Sequence, residues 1–347
     1  MGLSYYDALR PARAPWAGLP GVLARLPLPY RVLASVCGPA GRVVIAFASD
    51  SGLLSRMFAA NWAPAGMDED PDATLFALAQ PARSYGLDER WDRARWWSPD
   101  LQAMLVFGLG SYRLAKVCVR GMCSAVTADD VLFLHGCALS VRARTGRRGV
   151  VITGSSGAGK TTLVARLLRH PEYPVTVLND DWGGISLLSG LSVSTGERML
   201  HMKSSSVLAL RPGFFTSTTA RSYSCDASEP GVGGRLLVSP ESVYGTAWGS
   251  TATTVDHVAV VVREPPGWVP PSPGPAAVEE LEHEAGPGSA HHHEAFFNGS
   301  LILLGEADKR REERRYQRLF GRTKVSWLNN SGTPEDLVQD FVSAITG

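Results

Sequence analysis

The chain alternates short apolar runs with polar turns, and most of the runs are too short to be anything but strands. Arg42 to Phe47 (RVVIAF) reads as a strand, and Ala73 to Leu78 as a strand or a helix. Ser111 to Thr127 carries Leu114, Val117, Cys118 and Met122 at helical spacing and predicts an amphipathic helix. VLFLHGCALSV then gives two apolar runs split by His135-Gly136, and the polar turn 144–148 precedes Gly149 to Thr153, a strand of buried type. Thr161 to Leu168 predicts a helix, and Val175 to Leu178 a strand ending at Asn179-Asp180-Asp181. Ile185 to Leu188 and Leu191 to Ser194 predict a hairpin around Ser189-Gly190. Near the end come a charged helix, Glu306 to Arg318, a strand, Val325 to Leu328, and an amphipathic helix, Pro334 to Ile345. Thr333 is that helix's N-cap and Asp336 its N3 acid.

Strands alternating with helices predict an α/β fold. At 347 residues the chain exceeds a usual single domain. The division expected is an N-terminal α+β region over 1–105 and a larger unit over 106–347. A Pro-rich, then acidic, then Gly-rich stretch at about 265–293 reads as a disordered loop inside the second unit. Trp91, Trp96 and Trp97 form a cluster of the kind that packs in cores or interfaces.

Composition changes this picture little. Hydrophobic residues make up 44% and the formal net charge is +1, so no nucleic-acid or membrane partner is announced. Five scattered cysteines form neither a disulfide framework nor a zinc pattern and are expected to be reduced thiols in a cytoplasmic protein. The N-terminus has no apolar core of a secretory signal, and no run is long enough to span a membrane.

The strongest chemical signal is Gly154-Ser155-Ser156-Gly157-Ala158-Gly159-Lys160-Thr161, which fits G-x-x-x-x-G-K-[ST] between a strand and a helix. Its glycines let successive N–H groups converge on phosphate oxygens, and the following helix adds its positive end. Lys160 is placed for the β/γ-phosphates, Thr161 for Mg²⁺, and Thr162 completes the cradle. ATP or another nucleoside triphosphate, with Mg²⁺, is the cofactor set implied. Asp180-Asp181, at a strand end separated from Thr161 by 18 residues, are either metal ligand and base or a surface turn with two acids. His135 is either functional or structural. Asn329-Asn330 reads as a turn whose strand end could face the nucleotide. His291 to His293, near Glu282 and Glu284, favours a solvated loop over a metal site. Lys309 to Arg318 mixes both charges and reads as a solvated helix face.

Taken together, these motifs resemble the HPr kinase/phosphorylase superfamily, which is related to phosphoenolpyruvate carboxykinase. The matching residues are His135-Gly136, the strand into Gly154–Thr161, and Asn179-Asp180-Asp181. The resemblance covers residues 110–263 and extends weakly to the C-terminus. It implies a P-loop kinase domain with a mixed sheet that phosphorylates a Ser-type hydroxyl. Lys160 would clamp phosphate, Thr161 and Asp180 would bind metal, Asp181 would act as base, and His135 would lie beside the reacting phosphate. An assisting arginine is implied too: Arg235 first, then Arg221 and Arg263. The acceptor would be a peptide, protein or small molecule, including precursors of peptide natural products, and homo-oligomers occur in the family. The chain departs from the pattern around the family's metal-binding Glu, where Glu197 is the only nearby acid, and in its first 100 residues. Two other functions fit the same motif. One is a nucleotide-dependent switch or assembly protein that contacts a partner through the Trp-rich N-terminal region. The other is a bifunctional kinase/phosphorylase.

Overall fold

The computed structural model describes residues 11–13, 19–36, 42–93, 95–143, 146–154, 158–180, 182–188, 190–195, 197–216, 222–224, 234–249, 253–264, 269 and 306–346. Among these the fold is mixed α/β, with strands gathered into four sheets.

The first sheet uses only residues before 107. It contains β1 (Pro11–Arg13), β2 (Tyr30–Ser35), β3 (Val44–Ser49), β4 (Ala63–Pro64), β5 (Ala73–Ala77), β6 (Arg95–Ser98) and β7 (Ala103–Val106). Their order is β1-β6-β7-β5-β3-β2-β4, with parallel and antiparallel pairs mixed. The ambiguous run at Ala73 is therefore a strand. The run at Arg42 starts two residues late, at Val44, whose N–H donates to the Asp72 carboxylate (2.7 Å). Short helices α1 (Leu19–Leu23) and α2 (Gly52–Asn61) belong to this region, and Ser51 caps α2 by accepting from Leu54 N–H (3.3 Å). Trp97 joins the core below the sheet, while Trp91 and Trp96 pack on each other at 5.0 Å.

The amphipathic helix predicted for Ser111 to Thr127 is α3 (Tyr112–Val126). Its apolar spacing is as predicted, but both faces are covered. The apolar side packs on β5, α2 and β8 (Val131–Leu134), and the polar Lys116, Arg120 and Ser124 are buried as well. The core that holds α3 runs from Ile45 and Phe47 through Met122 to Phe133 and Trp182, so it crosses position 105/106 without interruption.

The central sheet has the order β11-β9-β10-β18-β19, formed by β9 (Gly136–Ala143), β10 (Gly146–Thr153), β11 (Val175–Asn179), β18 (His257–Val262) and β19 (Lys324–Asn329). Both of its faces are buried, which explains the unbroken apolar runs. Val150, Ile152, Ala259 and Val261 face one core with helix α4 (Lys160–Leu167) and helix α8 (Pro334–Thr346). Val151, Val258, Val260 and Val262 face the other core. There the sheet meets β8, β12 (Gly183–Ser186) and β13 (Ser192–Thr195), together with helix α7 (Glu306–Phe320). The predicted hairpin is β12 paired antiparallel with β13, in a sheet ordered β17-β13-β12-β8 that includes β17 (Thr253–Thr254). A small sheet of β14 (Leu200–Lys203), β15 (Ser222–Ser224) and β16 (Arg235–Val238) adjoins helices α5 (Ser204–Leu210) and α6 (Pro240–Tyr244). At α8, Thr333 and Asp336 bond reciprocally. Thr333 N–H donates to the Asp336 carboxylate (2.8 Å) and Asp336 N–H donates to Thr333 Oγ1 (3.2 Å), the capping box read from sequence.

The charged helix keeps a solvated face, with Arg310, Arg314 and Arg318 exposed, but its other side is turned inward onto the end of α3. Glu312 and Arg315 are buried side by side at 3.0 Å. Arg311 donates to the carbonyls of Ser124 and Ala125, and Arg315 to those of Ser124, Thr127 and Ala128. The carbonyls of Ser124, Ala125 and Thr127 belong to the C-terminal end of α3, where cations also complement the helix dipole. Arg311 and Arg315 of α7 thus cap another helix. The stretch 265–293, including His291 to His293, lies outside the described residues except for Val269.

Candidate phosphoryl-transfer site

The registers of the central sheet bring the motif residues to one edge. β10 and β11 both run antiparallel to β9, which lies between them, so they point the same way. β18 runs parallel to β10, and β19 parallel to β18. Hence β10, β11, β18 and β19 all end on a single edge, and β9 begins there opposite Thr153. That edge carries His135, Gly154, Asp180, Arg263 and Asn330, from five segments far apart in sequence. The carboxyl edge of an open sheet is where ligands bind in α/β folds.

Gly154 leaves β10 with φ 145°, and a Cβ there would lie 2.2 Å from the Val261 carbonyl oxygen. Gly159 has φ 113°, and a Cβ there would meet Asn330 Nδ2 at 2.3 Å. Both positions need glycine for backbone conformation and for space. Asn330 itself donates from Nδ2 to the Ala158 carbonyl (2.8 Å), so the end of β19 holds the far limb of the loop. Asn329 pairs with Glu264: Glu264 N–H donates to Asn329 Oδ1 (3.0 Å) and Asn329 Nδ2 to the Glu264 carbonyl (3.2 Å). The ends of β18 and β19 are thus stitched together beside the loop.

Lys160 opens α4, and its Nζ donates to the Gly154 carbonyl (2.6 Å), spanning the loop. No acidic residue stands in the first turn of α4, so nothing there competes with an anion for the helix N-terminus. Thr161 is half-buried and Thr162 exposed beside it. His135 is half-buried, and its carbonyl accepts from Thr153 Oγ1 (2.9 Å), tying it to the strand that enters the loop. Asp180 Oδ2 accepts from Tyr244 Oη (2.6 Å). Cys137 is buried two residues past His135. Burial pushes its thiol well up; the Asp180 carboxylate adds to this and the Lys160 ammonium opposes it, so both charges act on this one sulfur.

Ser155, Ser156, Gly157, Asp181 and Arg221 lie outside the described residues. Arg235 opens β16 opposite Lys203, on the small sheet. Arg263 follows Val262 at the central edge and is exposed. Glu197 is not open to a metal. It is buried between Lys116 (2.7 Å) and Arg120 (3.4 Å) of α3, which occupy both its oxygens.

Two features of the site have no motif to announce them. Tyr244 reaches Asp180 from α6, across 64 positions of sequence. Trp182, next to the acid pair, is buried with its ring stacked on Phe133 (4.7 Å between centroids, 16° between planes). Trp62 meets Trp182 edge-on at 5.9 Å, and the Arg120 guanidinium lies 5.6 Å from the Trp182 ring centroid.

Among the described residues no group of three or more His, Cys, Asp or Glu could hold a metal ion unaided. Mg²⁺ at phosphoryl sites takes one or two protein oxygens and completes its shell with phosphate and water. Thr161 Oγ1 and the Asp180 carboxylate are oxygens of that kind, and Gly154 and Gly159 both have positive φ. No helix among the described residues is long and apolar enough to cross a membrane. No protein-family model matches the chain, and no curated protein matches it.

Proposed function

We propose that this chain is a nucleotide- and Mg²⁺-dependent kinase of the HPr kinase-like type, acting on a Ser-type hydroxyl of a peptide, protein or small molecule. The observation that carries the reading is the shared edge. The loop ending in Lys160, the His135 turn and the Asp180 strand end leave neighbouring strands at the same side of one sheet.

The acceptor oxygen attacks the γ-phosphorus in line. The bond from that phosphorus to the β–γ bridging oxygen breaks, leaving the nucleoside diphosphate. The hydroxyl proton passes to the Asp181 carboxylate. Lys160 and the α4 N-terminus neutralise the phosphate charge, and His135 stands beside the transferred group. Mg²⁺, held by Thr161 and Asp180, supplies further charge neutralisation when bound. Positioning and electrostatics supply most of the rate. Tyr244 keeps the Asp180 carboxylate oriented through its 2.6 Å bond.

The test is to incubate the protein with γ-labelled ATP, Mg²⁺ and a cell extract, or with defined Ser peptides and free serine, and to locate the label. Label on a hydroxyl acceptor that disappears with Lys160→Ala supports the reading. Slow phosphate release with no labelled acceptor would instead favour the switch function.

A further inference from the structure

We infer that the groove between α4 and α5 receives the nucleoside end of the nucleotide. This inference rests on the P-loop reading of the proposed function and extends it to the half of the ligand that the motif does not address. A P-loop orders its ligand along one direction: the lysine meets the β/γ-phosphates, while the loop amides and helix start cradle the α/β-phosphates. The γ end therefore lies toward Lys160 and Asp180, and the α-phosphate lies over the first turn of α4. Whatever follows the α-phosphate must leave across Thr161 and Thr162.

A groove of about 280 Å³ opens at those two threonines. That is close to the lower end of the roughly 300–1,000 Å³ of small-molecule sites, a size suited to one part of a ligand. Its wall on α4 is formed by Thr161, Thr162, Ala165 and Arg166, with Ala165 one turn beyond Thr161, and Arg169 follows just past the end of the helix. Its opposite wall is α5, with Ser205, Ser206 and Ala209. Ala165 and Ala209 are small, which leaves the space between the helices open.

The chemistry fits a sugar and a base better than a second anion. Both cations of the lining are engaged. Arg166 pairs with Glu335 of α8 (3.0 Å), and Arg169 donates to the Ala209 carbonyl (2.8 Å) across the groove. The remaining lining is hydroxyl from Thr162, Ser205 and Ser206 and methyl from the two alanines. Hydroxyls can donate to and accept from ribose oxygens. The Arg169 guanidinium, anchored at one nitrogen, offers a planar face on which a base can stack.

The experiment measures calorimetric affinity for ATP, GTP and inorganic tripolyphosphate, each with Mg²⁺. The proteins are the wild type, Ala209→Phe, Ala165→Leu and Lys160→Ala. Ala209 is exposed and Ala165 half-exposed, so neither change disturbs a core. Filling the groove is expected to weaken the preferred nucleotide about tenfold or more, roughly 1.4 kcal/mol, and to leave tripolyphosphate within about twofold. Lys160→Ala is expected to weaken all three ligands. If both groove variants bind nucleotide like the wild type while Lys160→Ala does not, the groove assignment falls and the P-loop reading stands. A groove variant that loses tripolyphosphate equally also overturns the groove assignment, since the damage would then be to the phosphate cradle. A wild type that binds none of the three ligands overturns both.

Discussion

Trp182 stacks on Phe133 at 4.7 Å, and this contact joins the two sides of the candidate site. Trp182 follows the acid pair Asp180-Asp181, and Phe133 stands two residues before His135. Both rings lie in the core shared with the N-terminal sheet, where Trp62 of the α2 end meets Trp182 edge-on. The first hundred residues are therefore part of what holds the acid strand end against the histidine turn. Removing the ring, as in Trp182→Ala, is expected to cost about 3–5 kcal/mol in urea denaturation. It should also lower turnover more than it raises the KM for nucleotide. Trp182→Phe keeps a stack and should restore most of the turnover; equal loss of turnover in both variants would argue against a positioning role.

The carboxylate proposed as base can be separated from the groups proposed to bind nucleotide. Asp181→Asn is expected to reduce phosphoryl transfer by about 10² or more and to leave nucleotide affinity unchanged. Single-turnover transfer and equilibrium titration measure the two effects independently. Full turnover by Asp181→Asn would remove Asp181 as base.

Asn330 supports the P-loop from outside the motif, through its 2.8 Å bond to the Ala158 carbonyl. Asn330→Ala is expected to cost about 1 kcal/mol of loop order, seen as a roughly fivefold weaker nucleotide. Gly159→Ala should be more severe. It places a methyl 2.3 Å from the Asn330 amide at a φ of 113°, so both the loop and the asparagine must move. Titration of ATP into each variant checks the order of the two effects.

Glu197 is a structural anion. With Lys116 and Arg120 both buried beside it, Glu197→Ala would leave two cations without their carboxylate in a low-dielectric core. A loss of about 3–5 kcal/mol in denaturant unfolding is expected. Replacing the acid should not alter Mg²⁺ dependence in the fraction that stays folded; a selective change in Mg²⁺ affinity would argue that Glu197 takes part in holding the metal.

Acid should destabilise the fold through His257. Burial, and then the charges of Lys324 and Arg148, lower its pKa to about 4. The unfolded chain, with an ordinary value near 6.5, binds the proton that the folded chain refuses between those two values. Stability is therefore complete above about pH 6.5 and falls as pH drops toward about 4, where the effect levels off. Between pH 7 and 5 this one group accounts for about 2 kcal/mol. His257→Gln should flatten that part of the profile, and urea midpoints at the two pH values measure it.

Much of the site was legible in the sequence because its parts are local. The P-loop is a contiguous run whose glycines and lysine state their own geometry, and β10, α4 and β11 follow from short-range periodicity. The Thr333–Asp336 cap was equally local. What was not legible has a common cause. Glu312 and Arg315 sit in a sequence that reads as a wet helix face, yet the end of α3 needed donors for its carbonyls and α7 supplies them. Glu197, the only acid near the position of the family's metal-binding Glu, is held by Lys116 and Arg120, 77 or more positions away. A charge in a sequence carries no record of its partner.

By itself the sequence determined that a G-x-x-x-x-G-K-[ST] run lies between a strand and a helix, with an acid pair at the next strand end. It did so because backbone turns and periodicity are properties of neighbouring residues. Only the tertiary structure decided that His135, Gly154, Asp180 and Asn330 share one edge, that Tyr244 reaches Asp180, and that a groove continues from Thr162. Those relations depend on strand order and register, which arise from burying both faces of the central sheet at once and which no short segment specifies.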